Sequence, residues 1–502
     1  MAAARQPDTL VSWLAAVVRA QGRRPALVSG EETWSYDELW QRAGAIARHL
    51  LHERGFAPGD RVALVGENEP RYLAAYLGIL RAGCTAVPLN AMLDLGSMRA
   101  QVELVGASGT LVGTVSDEVR AGLAELLPEI AFADLPATAL GRLPAPSAKT
   151  PACILLTSGS TGKPKGVVHT HGTLLHAALQ LGSCLPFSPS DRGIAFLPFF
   201  AAIPEQVLPT LCTGGSLDVL PRFDPERVAR AARGATTFDA VPTILARLLE
   251  HGAGEALRSL RWIMFASEPM PVALLERWWE SVPGVETHQL YGMTEVLPMT
   301  FASDTLLRSQ PATVGVPFPT SRLHVLGADG SELHDGSDGE IVCASPAMML
   351  GYYGDPEATE ATKTSDGSML TGDLGRMDEA GRVFLTGRLK DIIISGGLNI
   401  APAEIEAVAC LHPGVAAAAV VGIPDPRWGE TPVVVAVPSR GNGATIEAHE
   451  ILSHCRQQLV SFKRPSAAAL IDALPSTGIG KSAKSVIRQQ ILDGAISLVY
   501  AS

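Results

Sequence analysis

Between Leu155 and Gly166 the chain reads Leu155-Leu156-Thr157-Ser158-Gly159-Ser160-Thr161-Gly162-Lys163-Pro164-Lys165-Gly166. An apolar strand, Ile154 to Leu156, runs straight into a loop of hydroxyls, glycines and two lysines. Glycine lets backbone N–H groups approach an anion, Ser and Thr add donors and Lys adds charge, so the loop is suited to phosphate. It is not a Walker loop. Two residues separate Gly159 from Gly162, and Pro164 follows Lys163 where a hydroxyl would open a helix. The plain alternative is a flexible surface turn, against which twelve residues of consistent phosphate chemistry weigh heavily.

The rest of the chain fits such a site into an α/β protein. With 502 residues and 47% hydrophobic content it exceeds one compact unit, and two to four domains are expected. Short apolar runs alternate with helical stretches: Arg61–Val65, then a helix over Tyr72–Arg81, then Thr85–Pro88, then a helix over Ser97–Leu104. This rhythm predicts parallel sheets covered on both faces by helices. Leu10, Trp13, Leu14, Val17 and Val18 share one face of an N-terminal helix. Leu135 to Thr150, rich in Pro, Ala and Ser, reads as a surface connection. After about Gly315 the texture becomes short strands with Gly turns, and a smaller β-rich subdomain is expected there. Near Lys390 a last α+β unit begins, with strands over Asp391–Ile394, Ala417–Val421 and Pro432–Val437 and helices over Ala403–Leu411 and Glu447–Leu459. The expected division is 1–389 for the large part and 390–502 for a small mobile domain.

A net charge of -11 argues against nucleic acid or an anionic membrane as partner, while leaving room for a local anion site. The seven cysteines stand singly without CxxC spacing, which suits reduced thiols in a cytoplasmic protein and neither a disulfide framework nor a zinc site. No signal peptide and no membrane span is expected.

Five further segments carry candidate chemistry. Tyr291-Gly292-Met293-Thr294-Glu295 offers a flat ring, a close-approach glycine, a hydroxyl and a carboxylate. Thr371-Gly372-Asp373 and Gly387-Arg388-Leu389-Lys390-Asp391 offer an acceptor for ribose hydroxyls and a guanidinium fork, with a solvated Asp–Arg pair as the alternative. Ser395-Gly396-Gly397 precedes a helix with Pro402 in its first turn and needs no function to explain it. Leu474-Pro475-Ser476-Thr477-Gly478-Ile479-Gly480-Lys481 puts a lysine on a Gly-rich loop that can reach a buried anion.

In this order and over nearly the whole chain, these segments resemble the adenylate-forming superfamily of acyl- and aryl-CoA synthetases, peptide-synthetase adenylation domains and luciferases, most nearly the acyl-CoA synthetases. The resemblance implies ATP-dependent activation of a small-molecule carboxylic acid to an acyl-adenylate, then transfer to coenzyme A. Loading of an acyl carrier protein is the alternative acceptor, and a non-catalytic ATP-binding homologue the alternative class. ATP, Mg²⁺ and coenzyme A are the implied cofactor and co-substrates. The implied ATP site comprises Thr157, Ser158, Gly159, Ser160, Thr161, Gly162 and Lys165 around the β- and γ-phosphates. It adds Ser267, Glu268 and Pro269 behind adenine, and Tyr291, Gly292 and Met293 beside it, with Asp373 and Arg388 at the ribose.

Thr294, Glu295 and Lys481 are the implied catalytic residues, with Glu295 holding Mg²⁺ and Lys481 bridging substrate carboxylate and α-phosphate. Lys390 falls at the hinge. Gly397, Trp428, Phe462 and Arg464 fall where coenzyme A is met, with plain packing as the alternative for the last three. Phe199, Phe200, Ala201, Val241 and Met293 fall at the acyl pocket. Ala201 stands where many relatives have histidine, and its small side chain in an apolar lining implies a bulky, largely apolar acid, unless neighbouring side chains fill the gap.

Overall fold

A computed structural model describes residues 7–136, 141–158, 164–334, 336–439, 446–475 and 484–501. The first helix, Leu10–Gln21, starts where Thr9 and Ser12 exchange capping hydrogen bonds, and Trp13 fixes it by donating its indole N–H to the Cys212 carbonyl at 3.0 Å. The expected helix over Tyr72–Arg81 begins two residues earlier, because Pro70 is preorganised for a first helical turn.

The large N-terminal domain holds two mixed sheets. One runs, in spatial order, Gly351–Tyr352, Pro164–Thr170, Pro151–Ser158, Thr85–Pro88, Arg61–Val65, Gly109–Val112, Glu129–Ala131. The other runs Val316–Pro317, Val296–Ala302, Glu286–Met293, Trp262–Phe265, Thr237–Ala240, Arg192–Ala195, Ser216–Val219, Pro25–Ser29, Glu32–Ser35. The parallel sheets expected from the β–α rhythm form their centres, but each also carries an antiparallel hairpin. Pro151–Ser158 pairs with Pro164–Thr170, and Glu286–Met293 pairs with Val296–Ala302. The two hairpin turns carry the phosphate loop and Thr294-Glu295, and they lie at carboxyl ends of strands, where open α/β sheets bind ligands.

The β-rich subdomain is a five-stranded antiparallel sheet ending in Met369–Met377 and Val383–Arg388. The small C-terminal domain has its own sheet, centred on Gly429–Pro438 and Val415–Asp425, and its own core of Ile393, Ile405, Val420, Val434 and Ile451. The expected strands and helices are present to within a few residues, with Val415–Asp425 extending beyond the predicted Ala417–Val421, and the strands Leu398–Ile400 and Ala467–Leu470 and the helix Lys484–Leu492 add to them. No helix among the described residues is long and apolar enough to cross a membrane.

Candidate active site

The phosphate loop joins two strands of a hairpin. Thr157 pairs with Lys165 and Ser158 with Pro164, so a strand and no helix follows it. Gly159, Ser160, Thr161 and Gly162 lie outside the described residues, as does Lys481. Lys165 Nζ sits 4.4 Å from the centre of the Tyr352 ring, and the Tyr352 hydroxyl donates to Glu295 Oε1 at 2.7 Å. Burial and the nearby carboxylate push the Tyr352 phenol up, which keeps it a donor.

Residues 349–353 tie the two hairpins together. Met349 N–H donates to the Glu295 carbonyl, Leu350 N–H to Val168 and Tyr353 N–H to Gly166, at 2.8, 2.8 and 2.7 Å. Neither this tie nor Tyr352 was in the sequence-based site. The Tyr352-Tyr353 pair carries no motif, and only the pairing of Tyr352 with Val167 brings it to the loop.

His169 was also missed. Its Nε2 donates to the Thr294 carbonyl at 2.7 Å, fixing the turn that presents Thr294 and Glu295. Burial pushes the imidazole down to about 4, so at neutral pH it serves as an uncharged tether. Gly292 leaves little room in this hairpin: a Cβ would stand 3.0 Å from Pro298 Cα and 3.2 Å from the Val296 carbonyl. Met293 is half-buried beside it.

Asp373 and Arg388 are register partners on adjacent strands and form an ion pair, Arg388 Nε to Asp373 Oδ1 at 2.7 Å. The Tyr291 hydroxyl donates to the other carboxylate oxygen at 2.8 Å. With its side chain 4% exposed, Asp373 is no solvated surface acid. The bend that aims it comes from Gly372, at φ +69°, where a side chain would be strained.

Ser267 has a φ of 73°, the one positive value at a non-glycine among the described residues. Such a backbone costs a serine roughly 1–2 kcal/mol, and strain of this kind clusters at ligand sites. The turn is held from behind, as Ala266 N–H donates to the Ala240 carbonyl at 3.3 Å. Glu268 is half-buried and Pro269 exposed. Ser267→Gly is expected to raise stability by about 1 kcal/mol in urea unfolding; a loss would mean that the serine side chain holds the turn.

Lys390 is exposed, in a single turn at Leu389–Asp391 between the last strand of the β-rich sheet and the first of the small domain. In the glycine turn, a Cβ on Gly397 would meet nothing within 4 Å, whereas one on Gly396 would stand 2.8 Å from the Trp428 ring. The space-limited glycine is therefore Gly396, and Gly397 serves its positive φ of 79°. Trp428 and Phe462 are exposed, 47% and 42%, so plain core packing does not account for them. Arg464 Nε donates to the Leu459 carbonyl at 3.0 Å.

The expected acyl lining needs correction. Phe199 is 1% exposed and packs on Tyr72 with ring centres 5.6 Å apart, so it anchors the core and does not line an open pocket. Asn68 holds it there, accepting from Phe199 N–H and donating to the Leu197 carbonyl, at 2.9 and 2.8 Å. Phe200 is half-buried, Ala201 exposed and Val241 buried. In the chain, Asp239 lies two residues before Val241, within the buried strand Thr237–Ala240, and Glu205 four residues after Ala201.

Comparison with known proteins agrees with this geometry. The family model for "AMP-binding enzyme" matches residues 14–353, and that for "AMP-binding enzyme C-terminal domain" matches 404–481. The chain is 35% identical over 497 residues to a feruloyl-CoA synthase of Amycolatopsis sp, covering 96% of this chain and 99% of that one. It is 32% identical to the fatty acid–[acyl-carrier-protein] ligase ScoC of Streptomyces coeruleorubidus, covering 97% of this chain and 96% of that one. ATP-bound MatB from Rhodopseudomonas palustris superposes with a TM-score of 0.90 at 31% identity, over 97% of this chain and 99% of that one. The chain belongs to the AMP-binding enzyme family, the adenylate-forming ligases, on its acyl-CoA synthetase side.

Proposed function

We propose that this enzyme condenses a carboxylic acid with ATP to an acyl-adenylate and pyrophosphate, then transfers the acyl group to the thiol of coenzyme A. The single observation that carries the reading is the Tyr291–Asp373–Arg388 unit, which has the acceptor and fork a ribose requires beside the turn bearing Thr294 and Glu295. Glu295 is suited to Mg²⁺. No group of three or more His, Cys, Asp or Glu gathers there among the described residues, and magnesium held mainly by phosphates needs only one or two carboxylates. Bound there, it would neutralise phosphate charge.

Lys481 supplies the cation at the reacting carboxylate, and exclusion of water protects the mixed anhydride. Exposed Trp428 and Phe462 have the flat faces, and Arg464 the charge, for the nucleotide end of coenzyme A. A carrier-protein thiol is the second acceptor, favoured by the likeness to ScoC. The small side chain of Ala201, exposed near the start of its helix, suits an acid with bulk near its carboxylate. The seven free cysteines, five of them buried, suit a reducing, cytoplasmic setting.

Pyrophosphate release from a panel of acids, with and without coenzyme A, tests the reading. Release without thioester would leave the carrier protein as acceptor, and no release with any acid would overturn acid activation.

The domain boundary is placed at 389/390, with Lys390 as pivot between the two half-reactions. Lys390→Pro fixes φ and stiffens the pivot. Adenylation is expected to persist while thioester formation falls by about tenfold or more. Two normal rates would remove Lys390 from that role.

A further inference from the structure

Asp239 is 7% exposed, and its Oδ2 has no hydrogen-bond partner among the described residues. Strand alternation sets where it points. Phe238 packs into the core with Ile194 and Trp278, so Asp239 faces the opposite side of the sheet. There Ala195 belongs to the same core as Ile203 and Val207 of the helical segment 199–213.

That segment is α-helical over Phe199–Ala202 and Leu208–Thr213 and π-helical over Ile203–Val207, where Pro204 cannot supply a backbone N–H. Gln206 ties the π turn to the sheet, donating from Nε2 to the Ile194 carbonyl at 3.1 Å. Ile194 is the register partner of Phe238, so this turn is tied to the strand beside the one that carries Asp239. Gln206 is itself 3% exposed, and its Oε1 is a second buried acceptor without a partner. Glu205, on the same turn, adds its charge: burial first, then the Glu205 carboxylate, pushes the Asp239 carboxyl well up.

Asp239 and Gln206 thus leave two buried oxygens without partners on neighbouring elements, Glu205 adds an acid on the turn that carries Gln206, and among the described residues no Lys, Arg or His is ion-paired with Asp239. Buried acids are usually paired. The cluster adjoins the expected acyl pocket on two sides. Ala201 is four residues before Glu205 along the helical segment, and Val241 is two after Asp239. The carbonyl of the intervening Ala240 holds the turn before Ser267.

Resting on the proposed acid activation, we infer that Asp239, Glu205 and Gln206 form the end wall of the acyl site and select an acid carrying a cationic nitrogen, ammonium or guanidinium, at the end far from the reacting carboxylate. A cation there gives the Asp239 oxygens their missing partner, and its charge draws the carboxyl back toward the ionised form through charge-assisted hydrogen bonds. A methyl in its place leaves the buried acceptors unpaired, the kind of mismatch a site rejects strongly.

ATP–pyrophosphate exchange by the full-length enzyme tests this with matched acids in a short length series: 5-aminopentanoate against hexanoate, 4-guanidinobutyrate against 5-methylhexanoate, and 5-hydroxypentanoate. The cationic member of a pair is expected to show kcat/KM at least about tenfold higher, mainly through KM. D239N is expected to bring the cationic-to-neutral ratio to about one. E205Q, on a partly exposed turn, should lower the ratio less, and it serves if D239N does not fold by circular dichroism. A wild-type preference for the neutral acids, a 5-hydroxypentanoate activity equal to the cationic acid, or a ratio untouched by either variant would overturn the inference while leaving acid activation standing. No exchange with any of these five acids would overturn this inference, while acid activation itself is decided by the wider panel of acids.

Discussion

Lys481→Ala is expected to abolish adenylate formation, lowering the rate by about 10²–10³-fold or more, the scale of losing one preorganised charge at a reacting oxyanion. Negative charge concentrates where carboxylate meets α-phosphate, and the loop Thr477-Gly478-Ile479-Gly480-Lys481 carries the lysine proposed to offset it. The second half-reaction, started from pre-formed acyl-adenylate and coenzyme A, should largely survive, because the proposed rotation of the small domain withdraws this lysine before the thiol attacks. Single-turnover measurement of each step separates the two. Equal loss in both would end the proposed division of labour.

Asp373→Ala is expected to raise the KM for ATP by about 10–100-fold and to depress turnover, since each buried polar group left unpaired costs about 1–3 kcal/mol. The substitution strips the Tyr291 hydroxyl of its acceptor at 2.8 Å and Arg388 of its carboxylate at 2.7 Å, in addition to the proposed ribose contact. Tyr291→Phe separates these contributions: it keeps the carboxylate and should change the KM for ATP far less. A thermal melt of each variant reads the structural share. An ATP dependence unchanged in Asp373→Ala would move the ribose site elsewhere.

Much of this enzyme is determined by its sequence alone. Periodicity and turn chemistry are local, so the N-terminal helix, the first β–α units and the main strands and helices of the small C-terminal domain follow from residues within a few positions of one another. Motif order does the same for the family, because each motif's chemistry is contiguous: loop hydroxyls and lysines at 157–165, ring and carboxylate at 291–295, acid and guanidinium at 373 and 388.

Only the tertiary structure decided which of these groups share atoms. Tyr291 reaches Asp373 across 82 residues, Tyr352 reaches Glu295 across 57, and His169 holds Thr294 across 125. Sheet order and register set those meetings, and no spacing along the chain encodes them. The same holds for the acyl lining. The run from Phe199 to Ala202 reads as an apolar wall, yet sheet packing sends Phe199 into the core against Tyr72 and turns Asp239 to the face of the sheet opposite its neighbour Phe238. A strand's two faces meet different neighbours, and which face meets which helix is fixed only when the sheet is assembled.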